Sequence, residues 1–377
     1  MSTSRSPVMI LAGGTGGHVF PALAVAKQIE QQSVPIIWVG TKRGIESRVV
    51  PNAGFKIEWI AVNGLRGKNM ATYLLAPFKL ALASLQVSWL LIKHRPCAVL
   101  GMGGFVAGPG GLIAALLRKP LIIHEQNAIA GLTNRILAPF AKRIVTGFPS
   151  TFVRNNVEVL GNPVREEISQ MQRIQNVADP ETRPLNVLIF GGSLGAHALN
   201  ETVPAALAQV IENLLDELKP NIWHQTGENK HDFTQEKYTH YGVSARVDAF
   251  IENMQDAYAW ADLVICRAGA ITVAELSVAG LGAIFIPYPY AVDDHQTANA
   301  SALVNAGAAI MVDEKNLTAE KLAQLLTDLL SNREKIKSFA KAATAFAKPQ
   351  AARDVAKVCL QSCFGKDDQN IKMVSGF

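Results

Sequence analysis

Twice along this chain of 377 residues a short apolar run meets a glycine-rich turn and then a helical pattern. The first joint is Val8-Met9-Ile10-Leu11-Ala12, then Gly13-Gly14-Thr15-Gly16-Gly17-His18, with Ala22 to Ala26 opening the helix. The second is Asn186-Val187-Leu188-Ile189-Phe190, then Gly191-Gly192-Ser193-Leu194-Gly195-Ala196-His197 and another helical run. Apolar strands of this kind are buried on both faces, which is the habit of a parallel sheet covered by helices. The internal repeat therefore predicts an α/β chain of two similar doubly wound domains facing a central cleft, where a substrate would lie. Glycines let backbone N–H groups approach a bulky anion, and the helix behind them points its positive dipole end at it. The loop from Gly13 thus first reads as a phosphate or sugar-phosphate site with His18 at its mouth.

Between the two joints the chain supplies more of the same edge. Ala98-Val99-Leu100-Gly101-Met102-Gly103-Gly104 is a further strand and glycine turn, and Leu121-Ile122-Ile123 ends in His124-Glu125-Gln126-Asn127. In an open α/β sheet the carboxyl ends of the strands line the ligand crevice, so these loops and the polar cluster gather there. A nicotinamide-binding reading fails on two counts. Val19 occupies the last position of Gly-x-Gly-x-x-Gly counted from Gly14, and Thr41-Lys42-Arg43 stands where a ribose-binding acid would follow the second strand. The chain turns polar after Gly161-Asn162-Pro163-Val164-Arg165, which puts the boundary at residues 1–163 and 164–348, with a last helix over about 349–364.

Charge divides along the same line. Residues 1–163 carry 17 Lys and Arg against five Glu and no Asp, a balance of +12, while the remainder has 19 basic and 26 acidic residues, or −7. An anionic partner for the first half alone follows. The basic residues are scattered without interleaved aromatics, which argues against nucleic acid and for an anionic membrane surface or a pyrophosphate-bearing lipid. The apolar stretch from Leu74 to Phe78, bracketed by Lys68 and Lys79, is a candidate interfacial patch, with most of the following segment buried as a helix against the sheet. Cys97, Cys266, Cys359 and Cys363 show neither metal spacing nor a disulfide framework, which predicts a reducing compartment. No signal peptide or membrane span is expected.

In the second half, Asn221 to Gln225 and Ala245 to Ile251 read as strands, Met254 to Trp260 as a helix, and Gly282 to Pro289 as the final strand. Leu263-Val264-Ile265-Cys266 runs through Arg267-Ala268-Gly269 into the helix from Ala270, whose early turns carry Glu275. For Glu275 a reach toward the cleft and a plain dipole-compensating role stand level. Asp293 or Asp294 is expected to cap the helix that follows them.

Taken together, Gly13 to Pro21, Gly101-Met102-Gly103-Gly104, His124-Glu125-Gln126-Asn127, Gly161 to Arg165, Gly191-Gly192-Ser193 and Arg267-Ala268-Gly269-Ala270 resemble the MurG family, the bacterial cell-wall N-acetylglucosaminyltransferases. The resemblance runs from about Val8 past Asn299 with the motifs in order. It implies a GT-B glycosyltransferase of two Rossmann-like domains, with the last helix crossing back to the first domain. The implied reaction moves N-acetylglucosamine, with inversion, from UDP-N-acetylglucosamine to the undecaprenyl-linked muramyl-pentapeptide acceptor, giving lipid II. The implied enzyme is peripheral, on the cytoplasmic face of the bacterial inner membrane, and needs no cofactor. By the family motif, Ala270, Ile271, Thr272, Val273, Ala274 and Glu275 would cradle the diphosphate and nucleoside, with Glu275 on the ribose. Ile251 would offer its backbone to uracil, Ser193 would bind phosphate and Gln296 the sugar hydroxyls. Arg165, Asn127 and Thr15, Gly16 and Gly17 also match donor-site positions. The loop from Pro289 to His295 departs from the commoner glutamine-bearing version and is one residue longer.

A helix N-terminus can stabilise the departing UDP without a metal, and the chain has no Asp-x-Asp. Inversion in one displacement needs a base beside the acceptor hydroxyl. His18 is the first candidate, since histidine titrates near neutrality, with Glu125 second and His124 third. A purely positioning His18 is the alternative. The opening loop then faces the acceptor's pyrophosphate more than the nucleotide. Two other functions fit the architecture: a soluble UDP-N-acetylglucosamine epimerase, and a non-catalytic nucleotide-sugar-binding adaptor.

Overall fold

The computed structural model describes residues 5–62, 70–149, 151–171, 183–192, 194–212, 214–216 and 219–365, the side chains of 70–75 and 292 excepted. It divides into two units, Met1–Arg165 with Pro349–Phe377, and Glu166–Lys348.

In the first unit, strands β1 (Val8–Leu11), β2 (Ile36–Gly40), β3 (Ile57–Trp59), β4 (Ala98–Gly101), β5 (Leu121–Glu125), β6 (Arg143–Thr146) and β7 (Val157–Val159) alternate with helices. The helices are α1 (Gly16–Glu30), α2 (Glu46–Asn52), α3 (Met70–His94), α4 (Gly104–Leu116) and α5 (Leu132–Leu137). The sheet is parallel in the order β3-β2-β1-β4-β5-β6-β7. β1 is buried along its whole length because it feeds two cores. Val8 and Ile10 pack on one face with α1, while Met9 and Leu11 pack on the other with α3 and α4.

The second unit repeats the plan with α6 (Glu166–Ser169), β8 (Asn186–Phe190), α7 (His197–Glu212), β9 (Asn221–Gln225), α8 (His231–His240), β10 (Arg246–Asp248) and α9 (Met254–Trp260). It continues through β11 (Leu263–Cys266), α10 (Ala270–Ala279), β12 (Gly282–Phe285), α11 (His295–Asn305), β13 (Ala309–Met311), α12 (Ala319–Ser331) and α13 (Arg333–Phe346). Its parallel order is β10-β9-β8-β11-β12-β13. In both sheets the order reverses between the first strand and the fourth, which opens a crevice at their carboxyl ends. The loops after β1 and β4 therefore meet in the first unit, and those after β8 and β11 in the second. The last helix, α14 (Ala351–Phe364), belongs to the first unit, where Val355, Ala356, Val358, Cys359 and Leu360 complete the core around α1.

Four sequence expectations change. Cys97 and Cys363 form a disulfide, Cα to Cα 4.8 Å, where no disulfide framework was legible; 266 residues separate them, and only the return of α14 brings them together. β12 is not the final strand, because the short run Ala309–Met311 adds β13 at the edge. Asp294 does sit at the cap position of α11, but with φ +52° its carboxylate accepts from the Thr297 hydroxyl (2.7 Å) instead of a backbone N–H. α3 is far from mostly buried. Ala83, Val87, Leu90 and Leu91 face the core, whereas Phe78, Leu82, Leu85, Trp89 and Ile92 are exposed. The loop with Lys68 and the side chains of Leu74 and Leu75 lie outside the described residues.

Candidate active site

The glycine turn after β1 is built on a carboxylate that the sequence reading passed over. Glu46, the first residue of α2, is fully buried. One oxygen accepts from the Gly14 N–H (2.9 Å), the other from the Thr41 N–H (2.9 Å) and the Thr41 hydroxyl (2.7 Å). A Cβ on Gly13 would lie 2.6 Å from a Glu46 oxygen, and one on Gly14 would lie 2.9 Å from the Phe105 ring. A Cβ on Gly16 would strike the Phe20 ring at 2.9 Å, and only Gly17 has nothing nearer than 3.8 Å. Protein atoms thus account for three of the four glycines, and exposed Gly17 alone keeps room for a ligand. The spacing Gly40, Gly44, Glu46 was the available signal, since a Cβ at either glycine would also strike that side chain.

From this base the turn presents Thr15 and His18. Thr15 is the extended N-cap of α1, its carbonyl accepting the His18 N–H (3.1 Å), and its hydroxyl lies 3.2 Å from His18 Nδ1. When Nδ1–H donates to that hydroxyl, Nε2 holds the lone pair that a base needs. The ring packs against the turn after β4. A Cβ on Gly103 (φ +83°) would lie 3.4 Å from His18 Nε2 and 3.4 Å from the Asn134 amide nitrogen, so both side chains flank this one glycine. Asn134 in turn donates to Glu125 (2.9 Å) and to the His124 carbonyl (3.0 Å).

Glu125 is buried and saturated. It accepts from the backbone N–H groups of Asn127 (3.0 Å) and Gly131 (3.0 Å) and from the side-chain amides of Asn127 (3.2 Å) and Asn134 (2.9 Å). Such a carboxylate straps the loop between β5 and α5 and orients Asn127; to take a proton it would have to give up a donor. His124 does not face the site at all. It is fully buried, its Nε2–H bonds the Gly161 carbonyl (3.1 Å), and burial pushes its imidazole down to about 4, against smaller upward pulls from Gly161 and Glu125. Half-buried Arg165 has its guanidinium 6.0 Å from the centre of the Phe20 ring. Of the sequence candidates in this unit, Thr15, His18, Glu125 and Asn127 gather around the two glycine turns, with Glu46 and Asn134 as the unforeseen supports.

In the second unit, α10 begins at Ala270 behind Gly269, with no acid in its first turn, so the N–H groups of Ala270, Ile271 and Thr272 form an electropositive end. Val273 is buried and Ala274 half-buried. Glu275 lies on the second turn, buried, and accepts from the Tyr258 hydroxyl (3.0 Å), which fixes its direction. Gln296 binds this helix start to the loop after β12: its carbonyl accepts from Ala268 N–H (3.3 Å) and Tyr288 N–H (2.9 Å), which orients its amide nitrogen as a donor. Arg267 is structural, donating to the Ile286 and Pro287 carbonyls and pairing with Glu314. The turn after β8 is equally packed, since a Cβ on Gly195 would fall 1.7 Å from the Thr226 carbonyl oxygen. Gly192 (φ +85°) is open, and Ser193 lies outside the described residues. Ile251 is buried just past β10, whose end is held by Gln225 donating to the Gly192 (3.2 Å) and Ala249 (3.1 Å) carbonyls.

Residues 8–146 match the glycosyltransferase family 28 N-terminal domain and residues 186–357 the family's C-terminal domain. A relative from Methylococcus capsulatus is 50% identical over 357 residues, 94% of this chain and 98% of its own length. One from Alkalilimnicola ehrlichii is 49% identical over 355 residues, 94% of this chain and 98% of its own. Both are named UDP-N-acetylglucosamine–N-acetylmuramyl-(pentapeptide) pyrophosphoryl-undecaprenol N-acetylglucosamine transferase. The crystal structure of Acinetobacter baumannii MurG superposes with a TM-score of 0.80 at 42% identity, covering 95% of this chain and all of that one. The UDP-GlcNAc 2-epimerase from Neisseria meningitidis, in a crystal structure bound to UDP-GlcNAc, shares the fold at a TM-score of 0.67 and 12% identity, covering 94% of this chain and 99% of its own.

Proposed function

We propose that this chain, which belongs to the MurG family of glycosyltransferases within glycosyltransferase family 28, transfers N-acetylglucosamine from UDP-N-acetylglucosamine to undecaprenyl-pyrophosphoryl-N-acetylmuramyl-pentapeptide, forming lipid II. The observation that carries this reading is identity of about one residue in two with curated transferases of that name along nearly the whole chain. The second unit takes the donor. Ala270 to Thr272 turn their N–H groups to the diphosphate, with Val273 and Ala274 completing the cradle, Glu275 on the ribose, Ile251 at uracil, Ser193 at phosphate and Gln296 at the sugar hydroxyls. Thr15, Gly16, Gly17, Asn127 and Arg165 add donor-side contacts from the first unit, which holds the acceptor.

Chemistry follows from these roles. The acceptor hydroxyl oxygen bonds to the anomeric carbon as the bond from that carbon to the UDP oxygen breaks, which inverts the centre. The hydroxyl proton passes to His18 Nε2, while charge gathering on the leaving diphosphate is met by the α10 N-terminus. Thr15 orients the imidazole, and Glu125 keeps Asn127 and Asn134 in place without itself moving a proton.

The first unit also meets the anionic membrane surface, at the cytoplasmic face of the inner membrane. Support comes from exposed Leu85, Trp89 and Ile92 on α3, Leu116 on α4 and Ile136 on α5, with exposed Arg118 and Arg135 close by in the chain. No helix among the described residues is long and apolar enough to cross a membrane.

The decisive experiment incubates the protein with radiolabelled UDP-N-acetylglucosamine and lipid-linked muramyl-pentapeptide. Label moves to the lipid, and His18→Ala lowers kcat about 100-fold or more while UDP binding is retained. Sugar isomerisation without transfer would make the protein an epimerase, and binding without turnover an adaptor. Turnover of His18→Ala within a few-fold of the parent would remove it as the base.

A further inference from the structure

We propose that Glu46 is a positioning residue for the transfer: by holding the Gly14 N–H it sets the Thr15–His18 turn, and it governs turnover without touching either substrate. The inference rests on the base role proposed for His18.

Packing gives no reason for a carboxylate at this place. Glu46 is fully buried, and among the described residues no cation pairs with it. An apolar side chain of similar volume would avoid the desolvation that an ionisable group suffers there. What only a carboxylate does is accept on both of its oxygens at once. Three donors from two separate segments use this: Gly14 N–H on one oxygen, Thr41 N–H and the Thr41 hydroxyl on the other. Glutamine cannot replace it, because its NH2 group would face a backbone N–H on one side or the other. Aspartate would fall a methylene short.

The surroundings are shaped to this group. A Cβ on Gly44 would lie 1.9 Å from a Glu46 oxygen, one on Gly13 2.6 Å from the other, and one on Gly40 2.8 Å from Glu46 Cγ. Three glycines therefore make room for one side chain. Gly14, the residue it grips, has φ +95° and sits immediately before the N-cap Thr15. Three residues on from Thr15, His18 shares Gly103 with Asn134, so a shift of the turn moves Nε2 relative to that pair. The carboxylate thus acts on the imidazole through a single peptide N–H. A misplacement of about 1 Å at a reacting group can cost about 100-fold in rate.

The test is steady-state kinetics of the full chain with both substrates on Glu46→Gln, Thr41→Val and Thr41→Ser, alone and with His18→Ala, each checked for folding by circular dichroism. Glu46→Gln is expected to lose about tenfold or more in kcat. Thr41→Val, which removes only the hydroxyl donor, loses less, and Thr41→Ser restores it. In a His18→Ala background Glu46→Gln adds almost nothing, because both changes act on one group. A folded Glu46→Gln with parental kcat, or an additive loss in the double variant, overturns the proposal. If Glu46→Gln does not fold, Thr41→Val with parental kcat overturns it instead. An inactive His18→Ala beside a fully active Glu46→Gln defeats this inference alone, whereas a fully active His18→Ala defeats the base assignment.

Discussion

Gly13 and Gly17 stand four residues apart in one turn and answer to different demands. Gly13 is glycine because Glu46 occupies the place of its side chain; Gly17 has open space there. Gly13→Ala should therefore lower the thermal midpoint by several degrees, by crowding a buried carboxylate, while Gly17→Ala leaves it within about one degree. If Gly17→Ala nonetheless loses transfer, its Cβ has met substrate; equal midpoints for the two would refute the distinction. The glycines themselves were plain in the sequence, but their reason was not. An anion and a buried carboxylate both demand a missing Cβ, and only the fold reveals which one is present. Asn134 escaped for a similar cause, since an asparagine in a short helix carries no local mark of the carboxylate that it meets nine positions away in the chain. As candidates, Glu125 and Asn127 were legible because they stand at the end of β5, where a parallel sheet exposes its loops, and His18 because it follows the glycine turn into α1.

At the scale of elements, α3 is the place where pattern and environment part. Its 25 residues are apolar on most sides, which in water reads as burial. The sheet covers only one face, and Leu85 at 69%, Trp89 at 57% and Ile92 at 64% exposure form an outer row. Leu116 of α4 and Ile136 of α5 are exposed as well, and water does not favour large apolar side chains left open on neighbouring helices. Replacing Leu116 and Ile136 together by Asp should release the protein from vesicles containing phosphatidylglycerol, read by co-sedimentation, with transfer to a detergent-dispersed acceptor retained. Unchanged sedimentation would place the membrane contact elsewhere. β13 was missed for a humbler reason: three residues of an edge strand give too little alternation to read.

The molecule as a whole repeats one strand order twice, and each unit buries a neutral histidine. Burial holds His124 at about 4 and His224 at about 3, both below the usual 6.5. His224 is flanked by the Tyr238 hydroxyl (2.9 Å) and the Asn200 amide oxygen (3.1 Å). An unfolded chain protonates both near 6.5 and the folded one only far lower, so their stability contribution is complete above about pH 6.5. It drains as the pH falls through that window, by up to about 1.4 kcal/mol per pH unit for each histidine. Urea midpoints measured at pH 7.5 and pH 5 should differ accordingly, and a flat profile would contradict the burial argument. Two similar α/β units could be read from the repeat of Gly-Gly-Thr and Gly-Gly-Ser, because strand, turn and helix are local. The cysteine pairing could not, because it depends on where α14 comes to rest. Its consequence is topological. With Cys97 joined to Cys363, the whole of the second unit lies inside one covalent ring. A protease that cuts once anywhere in that unit leaves a single molecule of unchanged mass but for the added water, which falls into two pieces only when the disulfide is reduced.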